Sequence, residues 1–351
     1  MSVAVVGAGI TGLAAAHALR RQGADVVLLE SERRPGGVIV TECPAPGWLI
    51  EGGPDSFLPD DGGMLQLAAE LGVAGRVVTQ QTRGSAVWTG SELAAVSAGD
   101  AAALLGIQAR PEELSAAHAS FIGGMAELVD ALAAAVGPAL RRGAGVSGIA
   151  PVDRAGGQFR LSVTGGPSVT ADAVIVTVPA WHAAHLLRGL APHAAEILAA
   201  IRYAPSTTVN LAYRAAQVGA RLEGSGFVVG RGVTLPLRAC TYVSEKFPGR
   251  APSDHALLRA FVWTDADPAG AAHAALARIL DLRGEPLWNR VHHWSRGIPP
   301  YGAAQPARIA QARAELGRWG ALLLAGAGYD GPGVGRCVAS GREAARAALS
   351  H

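Results

Sequence analysis

The chain has 351 residues, half of them hydrophobic and 17% charged, with 30 Lys and Arg against 28 Asp and Glu for a net charge of +2. This composition excludes a disordered chain, and the near-balance of charge excludes a nucleic-acid binder that works by counterion release. Mean hydropathy is +0.25, yet the charge-free stretch 2–19 is broken by Gly7, Gly9 and Gly12 and is followed, not preceded, by Arg20 and Arg21. It therefore reads neither as a secretory leader nor as a membrane span.

In chain order, the apolar run 3–6 predicts a buried parallel strand, followed by a glycine turn and a helix that ends at Gly23; residues 25–30 predict a second strand. Strand, turn, helix and strand make a βαβ unit within about thirty residues. A helix is predicted over 62–75, a hairpin over 84–97, and two helices within the Ala- and Leu-rich span 100–137. Strands follow at 144–150, 158–164 and 173–178, then helices at 180–188 and 192–201. Short strands at 207–214, 226–230, 237–244 and 256–263 predict a mostly antiparallel second sheet. The chain closes with helix 269–282, strand 290–295, helix 304–318, strand 321–325, a glycine-rich turn and helix 334–349.

The expected fold is α/β. A Rossmann-like, doubly wound parallel sheet is interleaved with a domain built on a mixed or antiparallel sheet. Residues 1–60, 138–190 and 290–351 are expected to form the cofactor domain, 61–137 a helical lobe and 191–289 the substrate domain.

The first turn reads Gly7-Ala8-Gly9-Ile10-Thr11-Gly12, a full G-x-G-x-x-G. The first glycine permits the tight turn, the second lets backbone approach a pyrophosphate, and the third lets helix and strand pack closely. Glu30 ends the next strand, where an acid can accept from ribose hydroxyls. Together these predict a dinucleotide site. Two further features favour FAD over a nicotinamide. Arg34 is followed by Pro35-Gly36-Gly37, a second close-approach loop directly after Glu30. Near the C-terminus, Leu322–Ala325 lead into Gly326-Ala327-Gly328-Tyr329-Asp330-Gly331-Pro332-Gly333-Val334, which returns a second helix N-terminus to the site.

With these residues on the page, the chain resembles the protoporphyrinogen and coproporphyrinogen oxidases, within the flavin amine oxidases. Glu51-Gly52-Gly53-Pro54-Asp55-Ser56-Phe57 is similar to the segment that lies beneath the flavin in that family. Phe121 to Met125, with Leu128 and Leu132, is similar to its Gly-Gly-Met helix start. Ser244-Glu245-Lys246-Phe247-Pro248-Gly249-Arg250-Ala251-Pro252, Arg259, Trp294 with Pro300-Tyr301, and Tyr329 to Gly331 through Ser340 to Arg342 extend the likeness. It covers residues 1–60 and 118–351. The resemblance implies FAD contacts at Gly7, Ala8, Gly9, Ile10, Thr11, Gly12, Glu30, Ser31, Arg34, Gly36, Gly37 and Val38. It implies others at Gly53, Pro54, Asp55, Ser56, Val146, Trp294, Ala327, Pro332, Gly333 and Val334.

The resemblance also implies a tetrapyrrole-like substrate, a porphyrinogen dehydrogenated to its porphyrin in haem biosynthesis with O2 as acceptor. Two departures stand out. Residues 61–117 are short for the family's helical lobe, and Arg336 stands where an acid is usual. The shortened lobe leaves open another small-molecule substrate, such as an amine or secondary metabolite, and a non-catalytic flavoprotein-like partner.

Substrate carboxylates would call for arginines, and Arg250, Arg259 and Arg296 are the candidates. His292 and His293 alternate faces of a strand, so at most one points inward. No metal site is expected: His182 and His185 lack a third ligand. Cys43, Cys240 and Cys337 are odd in number and far apart, fitting free thiols of a cytoplasmic protein. Lys246 is the one lysine of the chain.

Overall fold

A computed structural model describes residues 1–59, 61–107, 111–152, 157–264, 266–299 and 302–350. A five-stranded parallel sheet runs in the order Leu322–Leu324, Ala173–Val176, Ser2–Val6, Asp25–Leu29, Leu140–Arg141. Its central strand is apolar on both sides because both faces are covered. Val3 and Val5 pack under helices Ile10–Arg21, Ala126–Val136 and Val334–Leu349. Ala4 and Val6 face helices Ala180–Leu187, Pro192–Ala199 and Gln305–Leu316 and a small antiparallel sheet, Val146–Pro151, Phe159–Val163 and Val169–Ala171. This is the expected Rossmann-like, doubly wound arrangement, and the crossing order places the glycine turn after Ser2–Val6 at its centre.

The second sheet has seven strands, in the order Trp288–Ile298, Ala204–Arg214, His255–Val262, Leu237–Tyr242, Gly226–Val229, Ser85–Trp88, Leu93–Val96. It is mixed, since Gly226–Val229 pairs in parallel with Ser85–Trp88. The strand Ala204–Arg214 is buried along most of its length, and its two faces do different work. Val209, Leu211 and Tyr213 pack with helix Pro268–Leu280. Thr208, Asn210 and Ala212 point to the opposite face by the period of two. On that face Ala212 and Leu257 meet Trp48 and Ile50, while Val228 and Ala239 meet helix Ala98–Leu104.

Two expectations need correction. The span 100–137 is not two helices. It holds helices Ala98–Leu104, Pro111–Ser115 and Ala126–Val136, with a strand, Ala119–Phe121, between the last two. That strand forms because Val77–Thr79 pairs with it, a contact from outside the local sequence. The helix predicted over 62–75 is confined to Met64–Glu70. Hairpin Ser85–Val96 and strand Trp288–Ile298 both join the seven-stranded sheet, so pairing across the chain, not local composition, decides where these segments belong. Among the described residues, no helix is long and apolar enough to cross a membrane.

Candidate active site

The glycine turn is built by close approach. Gly7 sits at φ +98°, and its N–H donates to Leu29 O at 2.8 Å. A Cβ at Gly12 would lie 1.9 Å from Gly7 O, so only glycine lets the helix start this close to the turn. Gly9 differs: a Cβ there would meet nothing within 4 Å. It borders open room at the start of helix Ile10–Arg21, whose first N–H groups have no intrahelical acceptor. The second loop closes beside it, since Gly36 N–H donates to Ala8 O at 2.7 Å.

Glu30 is buried next to this turn and accepts from Ala8 N–H at 2.7 Å, Glu32 N–H at 2.8 Å and the Ser31 hydroxyl at 3.2 Å. Arg34 spends its guanidinium on the carbonyls of Pro35, Gly37 and Ile39, so it shapes the 35–39 loop from within. Val38, 44% exposed, stands at the mouth of the site, with its carbonyl against Gly53, where a Cβ would come within 1.8 Å. At the C-terminal side, Gly326 N–H donates to Ser340 Oγ at 2.8 Å, and Ser340 Oγ donates to Asp330 Oδ2 at 2.6 Å. This brace fixes the turn carrying Ala327, Pro332 and Gly333, and Val334 begins a 16-residue helix. Val146 is a buried strand residue of the small sheet. The open space beside Gly9, the N–H groups at the start of helix Ile10–Arg21 and the buried acid Glu30 next to them fit a dinucleotide pyrophosphate and ribose.

The segment 51–57 bridges the two sheets. Trp294 Nε1 donates to Gly52 O at 2.7 Å, and Arg259 Nη2 donates to Gly53 O at 2.7 Å. Lys246 Nζ pairs with Asp55 Oδ2 at 2.9 Å and donates to Ser56 Oγ at 3.4 Å. Burial opposes ionisation of Asp55, but the Lys246 ammonium and the Arg259 guanidinium outweigh it and hold the carboxyl below its usual range. Four residues earlier the balance reverses. Glu51 is buried, and desolvation pushes its carboxyl up to about 7 despite hydrogen bonds from Met125 N–H and the Thr41 hydroxyl.

The arginine candidates separate. Arg250 is 2% exposed and donates to Ile122 O, Phe121 O and Ser120 Oγ. It is a brace for the 120–122 strand end, and the expectation that it reads a substrate carboxylate is corrected on that ground. Arg259 is buried and turned toward the 51–57 segment. Arg296 is exposed and lies 5.0 Å over the Trp181 ring. Arg336 pairs with Glu113 at 2.7 Å. Pro300 and Tyr301 lie outside the described residues. Lys246 marks itself in the sequence by being a lone lysine within the 244–252 segment; Thr208, Asn210 and His292 carry no role there, and the sole signal for the first two is their spacing of two in an apolar strand.

A model of flavin-containing amine oxidoreductases matches residues 84–349, and a model of NAD(P)-binding Rossmann-like domains matches 5–71. The chain belongs to the flavin-containing amine oxidoreductases. Its sequence relatives include coproporphyrinogen III oxidase of Bacillus subtilis, 28% identical over 214 residues, which covers 58% of this chain and 45% of that protein. This flavoprotein thus spans about half the length of that relative. With coproporphyrinogen III oxidase of Staphylococcus aureus it is 22% identical over 467 residues, 99% of each chain. Because both ends align there, the excess over the 351 residues here falls inside the chain. The crystal structure of a protein from Exiguobacterium sp. 255-15, assigned as a protoporphyrinogen oxidase, shares the fold with a TM-score of 0.83 at 23% identity over 100% of this chain and 99% of that one. The cofactor is FAD, and the likeness to the porphyrinogen oxidases extends over both sheets.

Proposed function

We propose that this flavoprotein oxidises a porphyrinogen, coproporphyrinogen III or protoporphyrinogen IX, to its porphyrin with O2 as acceptor. The observation that carries the reading is the 51–57 segment, which four polar contacts from Lys246, Arg259 and Trp294 hang between the glycine turn and the second sheet. It is similar to the segment beneath the flavin in the porphyrinogen oxidases, and its partner Lys246 lies in a segment, 244–252, that resembles theirs in particular.

When bound, FAD supplies the hydride acceptor. Gly9, Ile10, Thr11 and Gly12 would present backbone N–H groups to its pyrophosphate, Gly7 and Ala8 would form the turn behind them, and Glu30 and Ser31 would meet the adenosine ribose. Gly36, Gly37 and Val38 would line the second loop, with Arg34 holding its carbonyls. Gly53, Pro54, Asp55, Ser56, Val146, Trp294, Ala327, Pro332, Gly333 and Val334 would complete the enclosure. The remaining catalytic task is to orient the substrate and exclude water. Each oxidation removes one hydride from a meso carbon and one proton from a pyrrole nitrogen, and O2 receives both electrons and two protons to become H2O2. Arg296, exposed beside Trp181, would meet a propionate of the substrate.

The reading is tested by supplying coproporphyrinogen III, protoporphyrinogen IX and a diamine to the FAD-loaded protein in an oxygen electrode. Oxygen uptake that tracks porphyrin fluorescence supports it. Uptake with the diamine alone would replace it with the amine reading, which the internal shortening motivates.

A further inference from the structure

Four buried polar groups on the second sheet face one another behind the 51–57 segment. Thr208 and Asn210 lie two apart on one strand and so share a face. Asn210 is directly opposite Arg259, and Thr208 is directly opposite His292. Side chains so paired stand about 5 Å apart at Cβ. Among the described residues, Thr208 Oγ1, both Asn210 amide atoms, Arg259 Nε and His292 Nδ1 have no protein partner. Asn210 is 0% exposed, and the His292 side chain is 10% exposed.

A lone unpartnered buried atom is an imperfection, but five of them on four mutually facing side chains constitute a site, because each costs free energy unless something bonds to it. Their donors and acceptors are mixed, which suits water better than an ion or an apolar ligand. The site also has two ends. Inward, Arg259 Nη2 reaches Gly53 O, on the segment proposed to meet the flavin. Outward, the other nitrogen of His292, Nε2, lies 3.1 Å from Glu42 Oε1, and Glu42 is 32% exposed and paired with Arg290 at 2.9 Å.

We propose that Thr208, Asn210, Arg259 and His292 enclose a hydrated chamber through which the proton lost by the substrate leaves toward Glu42. The chamber stands on geometry alone; its use as a proton path rests on the oxidase reading. The step balances as a relay. A chamber water takes the substrate proton and passes one to His292 Nδ1, and His292 passes its Nε2 proton to Glu42 and on to solvent. No electrons move in this step, and His292 is a relay that touches neither substrate nor flavin.

A high-resolution crystal structure of the FAD-loaded protein tests the chamber. Ordered water bonded to Asn210, Arg259 Nε, Thr208 Oγ1 and His292 Nδ1 is expected; a dry cavity, or flavin atoms on those groups, overturns it. Asn210→Leu offers a second reading. Removing a partnerless amide should raise Tm, whereas removing one that anchors shared water should lower it by about 1–4 °C. The path is tested by single-turnover reduction with coproporphyrinogen, following flavin bleaching and a pH-indicator dye together. In wild type the two signals should coincide. In His292→Phe the dye should lag the bleaching by about tenfold or more, while equal slowing of both signals would show a structural role and overturn the path. If wild-type flavin is never bleached, the oxidase reading falls, and the water positions still decide the chamber.

Discussion

The glycine turn and the polar face of the seven-stranded sheet both border the proposed flavin room, and they are built in opposite ways. At the turn, backbone spacing does the work: Gly12 is excluded from bearing a side chain by a carbonyl 1.9 Å from where a Cβ would stand, and the Gly7 and Ala8 N–H groups and the Glu30 carboxylate are bonded within the protein. On the sheet face, side chains do the work, one of them the buried Arg259 guanidinium, and five of their atoms lack a protein partner. The turn is finished before a ligand arrives, whereas the sheet face is completed by what it meets. A binding frame can be rigid and general, while the surface that handles substrate and protons keeps polar capacity in reserve.

The largest expected effect breaks the turn. Gly9→Glu puts bulk and negative charge into the open room beside Gly9 without a clash in the protein itself. FAD affinity should fall at least about 1000-fold, roughly 4 kcal/mol, with the apoprotein Tm nearly unchanged. Isothermal titration with FAD checks it, and retained affinity would refute this placement of the turn.

Next is Glu51, whose carboxyl sits at about 7 instead of its ordinary 4.5 because it is buried. A raised folded-state value means that stability is full below the unfolded value and is lost as pH rises through the folded one. Wild type should therefore lose up to roughly 3 kcal/mol between pH 4.5 and 7 from this group, and Glu51→Gln should flatten that slope. Urea melts across the range measure it.

Lys246→Met should cost about 2 kcal/mol, because it leaves Asp55 with only Arg259 nearby, and the segment 51–57 should loosen. Hydrogen exchange at residues 52–57 should speed up in this variant while exchange at the glycine turn stays unchanged. The smallest effect belongs to Arg296→Ala. A several-fold rise in KM for a porphyrinogen, with kcat and flavin affinity kept, is the expected signature of an exposed carboxylate contact.

The two regions also differ in how well the sequence announces them. The βαβ unit was legible because its rules are local: glycine positions, an apolar strand and an acid at a fixed distance. The closing helix Val334–Leu349 was legible for the same reason. The strand Ala119–Phe121 was hidden in an Ala-rich run because it depends on Val77–Thr79. Arg250 looked like a substrate ligand because sequence shows an arginine's charge but not its burial under Ser120 and Phe121. Lys246 and Asp55 are 191 positions apart, and no spacing rule joins them. Thr208 and Asn210 interrupt an apolar strand every second residue, a pattern that marks a polar face but not its partners across the sheet.

The central claim is that a porphyrinogen delivers its hydrides to flavin held at the turn and the 51–57 segment. An anaerobic titration of the FAD-loaded protein with coproporphyrinogen III tests it most directly. Since the ring gives up three hydrides in becoming a porphyrin, the account predicts close to three flavins bleached per porphyrinogen, with porphyrin fluorescence rising in step. Flavin that stays oxidised through a molar excess of both coproporphyrinogen III and protoporphyrinogen IX would contradict it.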